Sequence, residues 1–216
     1  MEALSIIDAV LGRCPGAASA LDDGSGSRAR FLAAFASASR LLRRADLCLS
    51  GPEAEALRRA GLAAPETLTP ADFLRARLLL SHLAELPAPD HAALVAELVQ
   101  TGDNQERQAV LKCLMLLPDP FRFLDTAIDA VRAVVADTVA AVACDNDYPA
   151  RFFPIEAFRA MVLKALHMGL PLGRVRGLEQ RRDAEMTRMG NAYASEQRAA
   201  QRPVSPDFLL MTGERP

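Results

Sequence analysis

The most chemically varied stretch of the chain is Cys144–Leu178, CDNDYPARFFPIEAFRAMVLKALHMGLPLGRVRGL. It mixes turn formers, aromatic rings and charges in a sequence otherwise made of plain helix formers. Asn146-Asp147-Tyr148-Pro149 is expected to be non-helical, because a proline disfavours helix at the residue before it. Pro154 marks a helix start, with Glu156 in the first turn, where a carboxylate suits the helix dipole. Projected at about 100° per residue, the helix after Pro154 gathers Phe158, Met161, Val162, Ala165 and Leu166 on one face. Arg159 falls inside that apolar arc, and Lys164 flanks its other edge. A guanidinium there needs a partner, since an unpaired buried charge is expensive. The loop carboxylates Asp145 and Asp147 are the expected partners. Two readings stay open. One is an internal ion pair that locks a helix–loop–helix. The other is a polar pocket lined by Asn146, Tyr148, Arg159 and Lys164, with Glu156 as a further polar group. Arg174 and Arg181, further along, join these as candidate binding contacts.

Other chemistry is poorly provided for. The three histidines, His82, His91 and His167, form no i, i+4 pair, and neither HExxH nor the ExxH pairs of a di-iron bundle occurs. His82, in an apolar helix, reads as structural, and His91, in a first turn, as solvated. No GxSxG, GxGxxG or GxxxxGKS is present. No metal site and no cofactor is therefore expected. Cys14, Cys48, Cys113 and Cys144 are widely spaced in apolar helical surroundings and read as buried free thiols of a reducing compartment.

The elements that must position these residues are helices. Half of the 216 residues are apolar, mostly Ala and Leu, both strong helix formers. A first helix is expected near Glu2–Leu11, a flexible loop over Asp22–Ser27, and a helix over Arg28–Leu47. A short helix, Glu53–Ala60, precedes one opened by Thr69-Pro70 and running to about Leu86. Then come Asp90–Gln100 and Asp103–Leu116, with Gly102 between them and Asp103 as a cap. Pro120–Val135 follows, with a wide apolar arc that includes Phe121, Val134 and Val135. After Asp137–Cys144, the helix from Pro154 to Met168 leads into a connector, Gly169–Gly177. A long charged helix over Leu178–Ala200 comes last. Within the Pro-rich tail, Phe208–Met211 forms a candidate docking patch, and the end is expected to be disordered.

Short connections make consecutive helices neighbours. The fold expected is all-α: a HEAT-like α-solenoid, or an irregular stack of antiparallel helical pairs. Residues 1–86 are read as an N-terminal helical region continuous with the stack, 87–204 as the repeat region and 205–216 as a tail. A formal net charge of -2 gives no basic footprint for nucleic acid. No run of about 18 apolar residues suggests a membrane span. Residues 1–11 lack the pattern of a secretory signal, so a cytoplasmic location is expected.

The stretch NDYPARFFPIEAFRAMVLKALHMGLPLGRVRGLEQRRDAEMTRMGNAY, followed by EQRAAQRPVSPD, is similar to the C-terminal signature of EboA-domain proteins. The upstream GDNQERQAVLKCLMLLPDPFRFLDTAIDAVR resembles the segment that precedes it in that family. The resemblance covers about Thr101–Asp207. His167 departs from the pattern, standing where the family usually has an aromatic residue. The resemblance implies an accessory component of a bacterial gene cluster for small-molecule, isoprenoid-linked biosynthesis or export. It carries over no catalytic residues.

The expected function is a non-enzymatic scaffold or binding protein that acts with pathway proteins of its cluster. The alternative is an enzyme or carrier holding a prenylated or polyol-like ligand in an inter-helix pocket. A deep pocket reaching Lys164 favours the alternative, and a shallow surface with internally paired charges favours the scaffold. A plain structural subunit of a homo-oligomer is the third possibility.

Overall fold

The computed structural model describes residues 2–42 and 47–214. Among them there are fourteen α-helices, short 3-10 turns and no strand. The chain is all-α, as its composition predicts. It divides into two compact units, Met1–Thr126 and Ala127–Pro216. No helix among the described residues is long and apolar enough to cross a membrane.

Unit 1 holds α1 (Glu2–Leu11), α2 (Ala17–Asp23), α3 (Arg28–Leu41), α4 (Gly51–Arg59), α5 (Pro70–Glu85), α6 (His91–Thr101) and α7 (Asn104–Cys113). Local sequence dictates several of their starts. Thr69 accepts the Asp72 N–H at 3.2 Å while Asp72 accepts the Thr69 N–H at 2.9 Å. Asp103 and Glu106 make the same reciprocal box at the start of α7. Each box satisfies two backbone donors that a helix start otherwise leaves orphaned. Helix α5 is the centre of the unit and lies against α1, α2, α3 and α7. Its Phe73, Leu74, Leu79 and Leu83 are fully buried. Arg75 is buried with them, 1 % exposed. Its Nε donates to the Phe35 carbonyl at 3.1 Å, and its guanidinium lies 5.7 Å from the Phe35 ring centre.

His82, also on α5, stacks on Phe31 with ring centres 4.4 Å apart, and its Nε2 has no hydrogen-bond partner among the described residues. Burial holds its pKa below the ordinary 6.5, with Arg28 pushing the same way and Glu85 opposing. The unfolded chain therefore binds this proton more readily than the folded one. The stability contributed by neutral His82 is present above about pH 6.5 and is lost as pH falls from there through the lower pKa of the folded state. Denaturation monitored in unit 1 should show a lower midpoint at pH 5.5 than at pH 7.5. In His82→Leu that difference should shrink.

Several sequence expectations need correction. The loop expected over Asp22–Ser27 is confined to 24–27, because α2 extends to Asp23. Helix α3 ends at Leu41 and Leu47 is not helical, while residues 43–46 lie outside the described ones. Cys14, Cys113 and Cys144 are buried thiols, but Cys48 is exposed in the non-helical segment before α4. His91 is buried rather than solvated. Its Nε2 lies 3.1 Å from the Leu86 carbonyl and its Nδ1 3.2 Å from Arg122, so both ring nitrogens are satisfied away from water. Pro120–Phe123 is a 3-10 turn, and only Leu124–Val131 (α8) is α-helical. Beyond that shorter helix the apolar periodicity has no face to belong to: Phe121 is 61 % and Val134 87 % exposed.

Unit 2 contains α9 (Ala136–Ala143), α10 (Tyr148–Phe152), α11 (Ile155–His167), α12 (Leu178–Arg181), α13 (Ala184–Ala199) and α14 (Phe208–Thr212). The Asn146–Pro149 turn is helical from Tyr148 on, since a proline is tolerated in a first turn, where its missing N–H is not needed. The single long helix expected over Leu178–Ala200 is broken. Arg182 is extended, and Asp183 caps α13 by accepting the Met186 N–H at 2.9 Å. The Phe208–Met211 patch docks within its own unit: it forms α14, packs on α13 and buries Met211 completely. The expected disorder of the chain end concerns residues 215–216, outside the described ones.

Candidate functional site

The candidate residues lie on one connected frame, built from the loop after α9, α10, α11 and the connector before α12. The connector is pinned to the loop by a bridge between Cys144 and Val175, in which the Asp145 N–H donates to the Arg174 carbonyl at 2.8 Å. Asp145 takes a left-handed φ of 50° there. Two ion pairs reinforce the pinning. Arg174 Nε donates to Asp145 at 2.7 Å, and Arg176 Nε donates to Asp147 at 3.2 Å. The Asp145 carboxylate raises the pKa of Arg174.

Asn146 sits between these pairs and builds the turn. Its Nδ2 donates to the Ala141 carbonyl at 2.9 Å, and its Oδ1 accepts the Tyr148 N–H at 2.9 Å. This is the local bonding that makes Asn a turn residue. Tyr148 is fully buried, with its ring 4.9 Å from that of Phe152 and 6.4 Å from that of Phe153. Both residues therefore lie inside the frame.

Arg159 does need a partner, but neither Asp145 nor Asp147 supplies it. Those carboxylates are taken by Arg174 and Arg176. Arg159 instead grips Asp183, with its Nε 3.2 Å from each carboxylate oxygen and its Nη2 donating to Oδ2. The break before α13 explains the difference, because it sets the capping carboxylate of Asp183 beside α11. The Arg159 guanidinium, and then the Met186 N–H, hold the Asp183 carboxyl below its usual range. Neither side chain is deeply buried: Arg159 is 20 % and Asp183 34 % exposed. The large loss of stability that a buried pair would suffer in Arg159→Ala is therefore not expected.

Arg181 is spent on the backbone. Its Nη1 donates to the carbonyls of Pro149 at 2.7 Å and Ala150 at 3.2 Å, and its Nη2 donates to Phe153 at 2.6 Å. The guanidinium lies 4.5 Å from the centre of the buried Phe158 ring. It thereby caps the end of α10, sharing the Pro149 carbonyl with the Phe153 N–H and adding a donor to the Ala150 and Phe153 carbonyls. Glu156 is exposed in the first turn of α11, and Lys164 is half-buried in its last turn.

An open cleft of about 800 Å³ lies on this frame. None of Asn146, Tyr148, Glu156, Arg159, Lys164, Arg174 and Arg181 lines it. Its walls are their neighbours. Asp147 and Arg151 lie at α10, Leu172, Val175 and Arg176 come from the connector, and Arg182 precedes α13. Leu210, Gly213 and Glu214 close one side. Sequence reading missed Arg151 because it lies in the expected connection between the Asn146–Pro149 turn and Pro154, and Arg182 because it looks like part of a continuous helix. Asp183 followed by Ala184-Glu185 is the available signal, an acid-led helix start inside an apparently unbroken run. Among the described residues no group of three or more His, Cys, Asp or Glu is placed to hold a metal ion.

A family model described as "Metabolite traffic protein EboA" matches residues 17–212. No curated protein and no solved structure matches the chain.

Proposed function

The chain belongs to the EboA family, and on that premise we propose that it is a non-enzymatic accessory protein that binds and hands on a small molecule. We place it in the cytoplasm, beside the pathway proteins of a bacterial, isoprenoid-linked biosynthesis or export system. The observation that carries this reading is how the charged groups of unit 2 are used. Arg159, Arg174 and Arg176 each hold a carboxylate, and Arg181 holds three carbonyls. These groups are consumed in holding a frame and do not converge on a reacting atom, as general acids, bases and nucleophiles must. An open cleft on a stiff frame suits capture and release better than water-excluded chemistry. Glu156 and Lys164 on α11, outside the cleft, are the proposed contacts for a partner protein.

Native mass spectrometry of the protein isolated from its own host tests this reading. A retained metabolite or a retained pathway protein is the expected result. A covalent intermediate on the chain would overturn it.

A further inference from the structure

We infer that the cleft of unit 2 binds a small amphiphilic metabolite through one anionic head, a phosphate or carboxylate, held by Arg182 and Arg151. This rests on the accessory reading above and assigns it a site. Two guanidinia of the cleft are left without a carboxylate among the described residues. In unit 2, Arg159, Arg174, Arg176, Arg188 and Arg202 each have a carboxylate within 4.0 Å. Arg151 and Arg182 both line the cleft, and neither has a carboxylate partner among the described residues.

Arg182 also lies against Gly213. A Cβ built on Gly213 would lie 3.0, 3.1 and 3.2 Å from its Nε, Cζ and Nη2. Near-equal distances to three atoms of one plane mean that the guanidinium lies flat over the Gly213 backbone. Gly213 itself has φ +88°, so glycine both permits the turn and leaves room for the stack. The one hydrogen bond of this guanidinium is a long one, 3.4 Å from Nη1 to the Leu210 carbonyl. Its Nε and Nη2 have no protein acceptor among the described residues. A planar guanidinium with free donors is matched to the paired oxygens of a carboxylate or phosphate.

The rest of the cleft describes the remainder of the ligand. Leu172, Val175 and Leu178 are buried beneath it, and Leu210 stands at its side. These give the otherwise polar cleft an apolar strip for a short hydrocarbon body. A volume of about 800 Å³ falls within the range of small-molecule sites. The Asp147 carboxylate is matched by Arg176. Glu179 and Glu214 are exposed cleft residues. They repel a second anionic group, which limits the ligand to one anionic head.

The probes are octyl phosphate, octanoate and inorganic phosphate, titrated into the full chain and followed by amide chemical shifts. Saturable shifts are expected at residues 150–151, 172–178 and 210–213 with an octyl probe, and weaker binding with inorganic phosphate. Preference for octyl phosphate assigns a phosphate ester, and preference for octanoate a carboxylate. Arg182→Gln should weaken binding roughly tenfold or more, as expected for losing a charge-assisted contact. If that variant disturbs the Gly213 turn, the exposed Arg151→Gln carries the test, with a smaller loss. Glu179→Gln should bind at least as tightly as the parent. Absence of saturable binding, shifts mapping elsewhere, or parental affinity in Arg151→Gln would overturn the assignment. A host metabolite still retained in native mass spectrometry would then show that the site has failed and the accessory reading has not.

Discussion

Replacing Arg181 by alanine should destabilise unit 2 by about 3 kcal/mol, from the loss of charge-assisted hydrogen bonds to three carbonyls and the cation–π contact with Phe158. The carbonyls of Pro149, Ala150 and Phe153 end a helix of only five residues. So short a helix has almost no stability of its own. Arg181 is what ties α12 to it. Amide exchange at residues 150–158 should accelerate roughly a hundredfold if opening is local. Arg181→Lys should recover only part of the loss, because one ammonium cannot reach three acceptors in the geometry of a planar fork. Parental exchange rates in Arg181→Ala would mean that Arg181 does not hold the end of α10.

Gly177→Ala should cost about as much, roughly 2–4 kcal/mol from left-handed strain and overpacking together. Gly177 has φ +74°, and an added Cβ would sit 2.7 Å from the Ala150 Cβ. The methyl group must push the connector away from α10, and Ala150 belongs to a helix end already held by Arg181. The control is Gly173→Ala in the same connector. That position has no left-handed φ and nothing within 4 Å of the added atom. Its change should stay within about 0.5 kcal/mol. Equal thermal shifts for the two variants would mean that the close approach does not constrain the connector. A large shift at 177 alone supports it.

Much of the helical framework was legible because its signals are local. Thr69 with Asp72 and Asp103 with Glu106 announce helix starts from four residues of sequence. Pro154 and the apolar stripe of Phe158, Met161, Val162, Ala165 and Leu166 placed α11 and its buried face. What was hidden depends on tertiary partners. Leu178–Ala200 contains no proline, and its composition favours helix throughout. Its break at Arg182 follows from Arg181 reaching the α10 carbonyls and Asp183 reaching Arg159, contacts 24 to 32 residues distant in sequence. His91 looked solvated because nothing in its own turn shows the Leu86 carbonyl and Arg122 closing over it. Phe121, Val134 and Val135 looked buried because periodicity records apolar spacing, not whether a helix continues. Among the site residues, the need of Arg159 for a carboxylate was readable, but the identity of that carboxylate was not. The cleft itself joins Arg151, Arg182 and Gly213, which no sequence window brings together.

On the proposed function, this protein holds a metabolite without converting it. Equilibrium dialysis of the full chain against a small-molecule extract of its host tests that most directly, with both compartments read by mass spectrometry. One anionic species enriched on the protein side at unchanged mass, and less enriched with Arg151→Gln, is the predicted result. A species that disappears while a new mass grows with time and protein concentration would show turnover, and would contradict the claim.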